Sequence, residues 1–475
     1  MSVHRKLFRR RLVLLLMTAL IAAGCSSAVL SLNASATEAD STTSKTKKKK
    51  GWYKVTKKSG KVYYYYIGST GKRVKGWMKL GSKVYYLTPK KGYRVTGTRT
   101  IDGKRYYFNS KGVRQTGWRT IGQNRYYFSK KSGYALTGLK KMGKYRYCFS
   151  EKGVLLYGWQ KVKGKYYYAD TKGHLLKGLQ TIDGETYYFG TSTGVMKTGN
   201  VKIGGIKYFF NKNGTMLRGG YTPSGEYAYT DGKFLHKSTL KKLLKTALQP
   251  VGTTLYVWGG GWGLNDTSSG EDAVTMGVSP QWKSFFNQYG SGYDYTQTRY
   301  QTRDGLDCSG YVGWTLYNTF NTSSGNAGFV MLAENMASTY AGYGWGEYTS
   351  AGAFSDFRPG DIMSLASGHV YITLGQCSDG SVVLLHSSPP GVMITGTYTP
   401  SGSKISEANA LSVKYMKKYY PEFYNKFSEK LIRNTSYLNS YSRMRWYLSG
   451  KCVMSDPEGF ARKNAKQVLR SLLGS

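Results

Sequence analysis

The sequence predicts a multidomain chain of two unlike parts: an all-β array of hairpins stacked as a solenoid over residues 51–237, then an α+β domain. Three observations predict this. Glycine-led units recur with a step of 20 or 21 residues, with glycines at 76, 97, 117, 138, 158, 178, 199 and 219 following a longer first unit at Gly51. Positive charge is concentrated in the same region, with 38 basic and 7 acidic side chains over 51–240 against 21 and 16 over 241–475. Beyond 237 the period disappears and helical and strand patterns of an ordinary globular kind replace it.

The repeat carries most of the bias in composition. A representative unit reads GTRTIDGKRYYFNSKGVRQT: a Gly-led turn, an aromatic run, a polar glycine turn and a short closing strand. Aromatic and β-branched residues suit strands, and Asn/Ser/Lys-Gly clusters supply turn backbone. A lone hairpin is marginal in water, so about nine such units must stack to bury their rings. Twenty-five tyrosines and Trp52, Trp77, Trp118 and Trp159 fall in this stretch. Most of these rings are expected to hold the array together. Those left at the seams can stack on sugars or attract quaternary ammonium groups.

The whole chain of 475 residues carries a formal charge of +44. An unpartnered chain of that charge repels itself, which argues against a generic cytosolic enzyme and for an anionic partner. Residues 1–36 have the layout of a secretory signal: a basic cluster (Arg5, Lys6, Arg9–Arg11), then an apolar run from Leu12 to about Leu32. Ala34-Ser35-Ala36 offers a cleavage site that releases a soluble protein with no lasting membrane insertion. Ala23-Gly24-Cys25 offers the alternative of a lipoprotein anchored at Cys25, although Ala22 stands where that signal usually has Leu. An uncleaved anchor is the third reading, since 21 residues just span a bilayer. All three place the remainder outside the cytoplasm, so nucleic acid is not the expected partner. Residues 37–50, ending in four lysines, read as a basic linker. Five cysteines make no disulfide framework; Cys377 and Cys452 are the one pair considered, and Cys148 reads as a small buried side chain.

The second part is taken as a domain over 238–400 with a helical C-terminal extension over 401–475. STLKKLLKTALQPVG has leucines at helical spacing, with Ser238 as N-cap and Pro250 as stop. Cys308 precedes YVGWTLYNTF, a buried-looking helix, so the thiol is expected at a helix N-terminus, where the dipole favours thiolate. A nucleophilic thiol needs a base, and the base an orienting partner. Past residue 237 the only histidines are His369, opening the strand HVYITLG, and His386, closing SVVLLH. Two antiparallel strands would bring both beside Cys308. With no HExxH or CxxC, no metal and no cofactor is expected. In the extension, Ser455 and Glu458 suit a capping box.

Two resemblances follow from these residues. Units such as GWQKVKGKYYYADTKGHLLKG resemble the cell-wall-binding repeat family, which includes choline-binding and glucan-binding modules of Gram-positive surface proteins. Choline-binding units usually carry Trp ahead of the paired tyrosines. Here that place is Lys, Arg or another residue, so teichoic acid phosphates or a wall glycan fit the charge better than free choline. Phosphocholine on an anionic polymer stays open as a ligand.

The set YVWGG (256–260), DCSG (307–310), RPGDIM (358–363), SGHVYITLG (367–375) and VVLLHSS (382–388) resembles the NlpC-type family of papain-like cell-wall endopeptidases. That resemblance implies a central antiparallel sheet with the Cys-bearing helix packed on it. It makes Cys308 the nucleophile, His369 the general base and acid, and His386 the orienting residue. Tyr256, with Asp307 and Ser309 flanking the thiol, is expected at the substrate. The implied substrate is the peptidoglycan stem peptide, cut between γ-D-glutamate and the diamino acid. An N-acetylmuramoyl-L-alanine amidase and a non-catalytic wall-binding adhesin are the alternatives. The 46 residues between Gly260 and Asp307 are a long insertion that could reshape the cleft.

Overall fold

A computed structural model describes residues 48–474 apart from 264–265 and 322–326. The expected signal, its cleavage site, Cys25 and nearly all of the linker lie outside the described residues. No helix among the described residues is long and apolar enough to cross a membrane. The chain divides into two compact units, one of residues through Gly97 with Phe108–Arg114, the other of Thr98–Tyr107 with Gln115 onward.

The repeat region folds as eight two-stranded hairpins, followed by a ninth reduced to Gly220–Tyr221 and Tyr227–Ala228. The turns explain why hairpins form. Asp102-Gly103, Lys163-Gly164, Asp183-Gly184 and Gly204-Gly205 each place two successive residues at positive φ, the two-residue turn whose twist matches its flanking strands. Period-2 alternation then buries every second residue in aromatic strands such as Lys83–Leu87 and Asn124–Phe128. In Lys165–Ala169, Tyr167 and Ala169 are buried while Tyr166 faces out.

Stacking is enforced by backbone. The closing residue of one unit donates to the unit before it, as Leu155 N–H to Arg125 O and Leu175 N–H to Arg146 O, both at 2.8 Å. Gly173 shows why the polar turn needs glycine: φ is +83°, and a Cβ there would lie 2.7 Å from a Leu155 methyl.

The C-terminal half is built on a seven-stranded sheet. Its order is Gly346–Thr349, Tyr441–Trp446, Ile362–Leu365, His369–Gln376, Val382–Ser388, Gly391–Thr397 and Ile432–Arg433. All neighbours are antiparallel except the last pair. Helix Cys308–Phe320 is buried along its whole length and shares a core with Val370, Ile372, Val383 and Leu385.

Three expectations are corrected here. Residues 401–475 are not a purely helical extension: besides helices they supply Tyr441–Trp446, the second strand of the sheet, and Ile432–Arg433, its edge. Periodicity on a single strand cannot reveal this insertion, because it depends on pairing with strands nearly a hundred residues earlier. The helix over Ala465–Leu473 is capped by an Asn464–Gln467 box, while Ser455 pairs in a short parallel bridge with Thr239. Helix Leu240–Leu248 is capped by Thr239, one residue beyond Ser238, which belongs to the same bridge.

Packing does not break at 237 either. Tyr227, Tyr229 and Leu235 of the last repeat belong to the C-terminal core. The Tyr229 hydroxyl donates to Gly328 O at 3.0 Å, and the Tyr227 ring meets Trp345 edge-on at 5.7 Å. Cys377 and Cys452 are both buried free thiols and do not pair; Cys148 is buried as expected.

Candidate active site and repeat surface

Asp307 builds the start of the Cys308 helix. Its carboxylate accepts from Gly310 N–H at 2.6 Å and from the Ser309 hydroxyl at 2.8 Å, and Ser309 Oγ in turn accepts from Trp262 Nε1 at 2.9 Å. The flanking motif closes on it: Asp307 N–H donates to Gly260 O at 3.0 Å, and a Cβ on Gly310 would lie 1.9 Å from that same oxygen. Gly310 is thus required by this backbone crossing, and Gly260 by a second, with Gly305 O 2.4 Å from a Cβ built there. Asp307 and Ser309, expected at the substrate, line the cleft with their polar atoms spent on this cap.

The opposite wall is the histidine strand pair. Ser387, next to His386, donates to Leu306 O at 2.6 Å and fastens that strand to the residue before Asp307. His369 Nε2 lies 3.0 Å from His386 Nδ1. Cys308 Sγ sits 3.9 Å from the carbonyl of Gly368, the residue before His369. Among the described residues no hydrogen bond joins the thiol to the imidazole itself. Catalytic contacts often close only when substrate is bound.

Burial decides the electrostatics. It raises the Cys308 thiol well above its ordinary value, and the Asp307 carboxylate adds to this. The helix N-terminus was expected to favour thiolate; desolvation of a thiol closed over by its own motif outweighs the dipole. Burial and then the Arg433 charge lower His369 to about 3 and push His386 well below the imidazole range. Asp307 is pushed up to about 6 by burial, against its hydrogen bonds from Gly310 and Ser309. Burial thus favours the neutral forms of the thiol and of both imidazoles.

Tyr256 lines a cleft of about 270 Å³ together with Cys308, Trp258, Asp266, Glu334 and Gly368. Burial, followed by Cys308 and Asp307, raises its phenol. The long insertion furnishes part of this wall: Trp262 and Asp266 line it, Tyr295 packs edge-on to Tyr256 at 5.3 Å, and Trp282 and Phe286 anchor the segment in the core.

Sequence reasoning missed Arg433. Its Nε and Nη2 lie 3.3 and 3.1 Å from His386 Nε2. Tyr437 and Tyr441 back the histidines with rings 5.8 and 6.2 Å from His369. All three come from the segment read as an extension, where no motif marks them. Cys377, Asp379 and Glu407 offer ligand atoms within 4.8 Å of one another. Their carboxylates accept N–H groups at the start of helix Glu407–Tyr419 and in its neighbouring turn.

The repeat surface has its own pattern. Arg125 stands over the Trp118 ring at 4.3 Å, and in the other unit Arg94 stands over Trp52 at 5.6 Å and Arg114 over Trp77 at 5.8 Å. Trp159 differs. It meets Tyr168 and Tyr187 edge-on at 5.2 and 5.0 Å, is 40% exposed, and among the described residues has no Lys or Arg over it.

Comparison with known proteins bears on the repeats. Residues 95–135 and 176–220 match the choline-binding repeat, and 158–175 match the putative cell wall binding repeat. Among solved structures, the chain is similar to CbpJ from Streptococcus pneumoniae TIGR4 (26% identity, 39% of this chain and 70% of that one, TM-score 0.37). It is also similar to choline binding protein F from Streptococcus pneumoniae (25%, 37% and 61%, 0.34). A third is the modular autolysin LytC from Streptococcus pneumoniae (23%, 35% and 42%, 0.25). No curated protein matches the chain. The matched family segments all lie within the repeats.

Proposed function

We propose that the chain is exported, binds the bacterial cell wall through its repeats, and hydrolyses peptidoglycan stem peptides with the Cys308 thiol of a papain-like C-terminal domain. The observation that carries the hydrolytic reading is a cleft-lining thiol at a helix N-terminus, set against the carbonyl of Gly368, whose neighbour His369 is hydrogen-bonded to a second histidine, His386. In this reading Cys308 attacks the amide carbonyl, His369 passes a proton to the leaving amine, and water then cleaves the thioester. The backbone N–H of Cys308 and the Tyr256 hydroxyl are the oxyanion donors. The bond is the one between γ-D-glutamate and the diamino acid.

For the repeats we propose a phosphocholine-bearing or other anionic wall polymer. Excess positive charge supplies long-range attraction, and the open Trp159 seam is the place for a quaternary ammonium or sugar face. Several weak contacts along one polymer raise residence without any tight single site.

A second reading, a wall-binding protein without turnover, is favoured by two observations: the matched families lie only in the repeats, and the thiol is set against Gly368 O and not against the His369 ring. Mass spectrometry of purified peptidoglycan after incubation separates the readings. A new γ-glutamyl carboxyl end marks the endopeptidase, a free muramoyl lactyl group marks the amidase, and no product, equal to a Cys308→Ala control, marks the binder.

A further inference from the structure

We propose that Tyr300, with the guanidinium of Arg299 beside it, is a saccharide-stacking platform on the rim of the Cys308 cleft, so that the site takes stem peptides still attached to glycan in preference to free ones. This rests on the reading of that cleft as a peptidoglycan site.

Backbone conformation singles out Tyr300. Among the described residues, five that are not glycine have positive φ. Asp102, Lys163 and Asp183 sit in hairpin turns. The other two, Asp266 and Tyr300, belong to the long insertion between Gly260 and Asp307. Aspartate tolerates this conformation through local hydrogen bonds, but a bulky aromatic residue there is an outlier, and such strain gathers at binding sites. Tyr300 has φ +64° and gains little burial in return, since its ring is 60% exposed. Packing does not account for the conformation.

The backbone fixes this ring at the cleft. Tyr300 N–H donates to Trp258 O at 3.0 Å, and a Cβ on Gly259 would stand 3.4 Å from Tyr300 Cδ1. Trp258 and Gly259 both line the cleft of Cys308. Arg299 stands over Trp258 at 4.8 Å and takes one face of that indole; it is 5.9 Å from Tyr300, which is the more open ring. Among the described residues no hydrogen bond or ion pair engages the Arg299 guanidinium.

An open ring next to an unpaired guanidinium has a defined chemistry. A pyranose presents its C–H face to the ring and its edge hydroxyls to the N–H donors. A purely apolar partner would bury those donors without acceptors. An anionic polymer would meet Asp266 and Glu334, two carboxylates that line the same cleft. The sugar is within reach: a stem peptide begins at a lactyl-bearing sugar, and the bond proposed for cleavage lies two residues on, roughly 7 Å of extended chain.

The test gives the full chain two soluble substrates, a disaccharide-linked stem peptide and the same peptide without sugar. Wild type is expected to show kcat/KM about tenfold higher for the first, mostly through KM. Tyr300→Ala should lower that ratio by about fivefold or more, and Tyr300→Phe, which keeps the ring, should not. Equal kcat/KM for the two substrates in wild type, a ratio untouched by Tyr300→Ala, or the same loss in Tyr300→Phe overturns the proposal. Tyr300→Gly relieves the backbone, so it should lose the ratio while its urea midpoint stays at or above that of wild type. A lower midpoint would show that the ring is there for packing and overturns the proposal.

Binding reads the platform without turnover. In equilibrium dialysis, Cys308→Ala is expected to hold the disaccharide-linked peptide more tightly than the doubly substituted Cys308→Ala, Tyr300→Ala protein does. The repeats are common to both proteins, so the difference reports Tyr300; no difference overturns the proposal. A wild type that cuts neither substrate sinks the hydrolytic reading alone, and the dialysis still decides the platform.

Discussion

The hairpins and the C-terminal sheet both bury aromatic side chains, but they find partners at opposite distances along the chain. In the repeats, Trp159 meets Tyr168 of its own hairpin and Tyr187 of the next. In the sheet, Trp345 stacks on Trp446, and strand Gly346–Thr349 pairs with Tyr441–Trp446. Local partners make a structure that can be lengthened or shortened by whole units and whose contributions add. Distant partners make a cooperative one, in which a charge or hydroxyl can be held within a few tenths of an ångström. Repeated weak contacts along a polymer suit the first, and a site assembled from distant segments requires the second.

Four experiments test that contrast, in decreasing order of effect. The largest separates the two halves by function. Cys308→Ala is expected to lower fragment release by about 10⁴-fold or more, while sedimentation of the protein with purified walls is unchanged. Loss of wall binding in this variant would mean that the halves do not divide the work.

Next, cooperativity of the sheet rests on Asp361, whose carboxylate takes two bonds from Arg445, at 3.0 Å to Nε and 2.7 Å to Nη2. Asp361→Ala removes both of these charged bonds and leaves the guanidinium to Asp356 alone, at 2.6 Å. It should cost about 2–3 kcal/mol in denaturant unfolding of the C-terminal half, with the hairpin signal retained. A cost below 1 kcal/mol would show the pair to be incidental.

The third experiment concerns pH. Asp307 is raised from 3.8 to about 6 in the folded state. A raised folded value favours the protonated form, so its contribution to stability is complete below pH 4 and is lost as pH rises through 6. The loss is roughly 1–3 kcal/mol. Asp307→Asn keeps an acceptor for Gly310 and should remove this slope from unfolding curves taken between pH 4 and 7. A slope that persists would place its origin elsewhere.

The smallest effect tests the repeats against each other. Trp159→Ala should weaken retention on immobilised choline by about 3- to 30-fold, the range of a cation–π contact, whereas Trp118→Ala, whose ring already carries Arg125, should change it less. Equal losses would erase the distinction between covered and open seams.

The same contrast explains what could be read from sequence. The repeat was legible because its glycines and aromatic runs are local patterns recurring at a fixed step; the hairpin turn itself was misplaced, since it is Asp102-Gly103 ahead of the aromatic run and the Gly-led segment is a strand. The Cys308 helix, with its start at Asp307, and the strands of His369 and His386 were legible for the same reason. What escaped was contact between distant segments. Arg433 sits in LIRNT with no pattern around it, and Tyr441–Trp446 gives no sign of entering the sheet between two earlier strands. Capping chemistry was read correctly in kind but misplaced in position. Ser238 and Thr239 both qualify as caps, and Ser455 and Glu458 fit the box pattern that Asn464 and Gln467 use. The thiolate expectation failed because a dipole argument considers one helix end, whereas desolvation depends on everything packed around it.

The last repeat has a consequence for how such a chain can be recombined. Tyr227, Tyr229 and Leu235 look like array residues by their spacing, yet they lie in the C-terminal core. A graft made at residue 237 would leave a hole lined by Trp345 and Phe329, the partners of the two tyrosine rings. The portable cassette therefore starts before Gly219, and gene exchange that trades binding arrays must carry this final hairpin along with the half it completes.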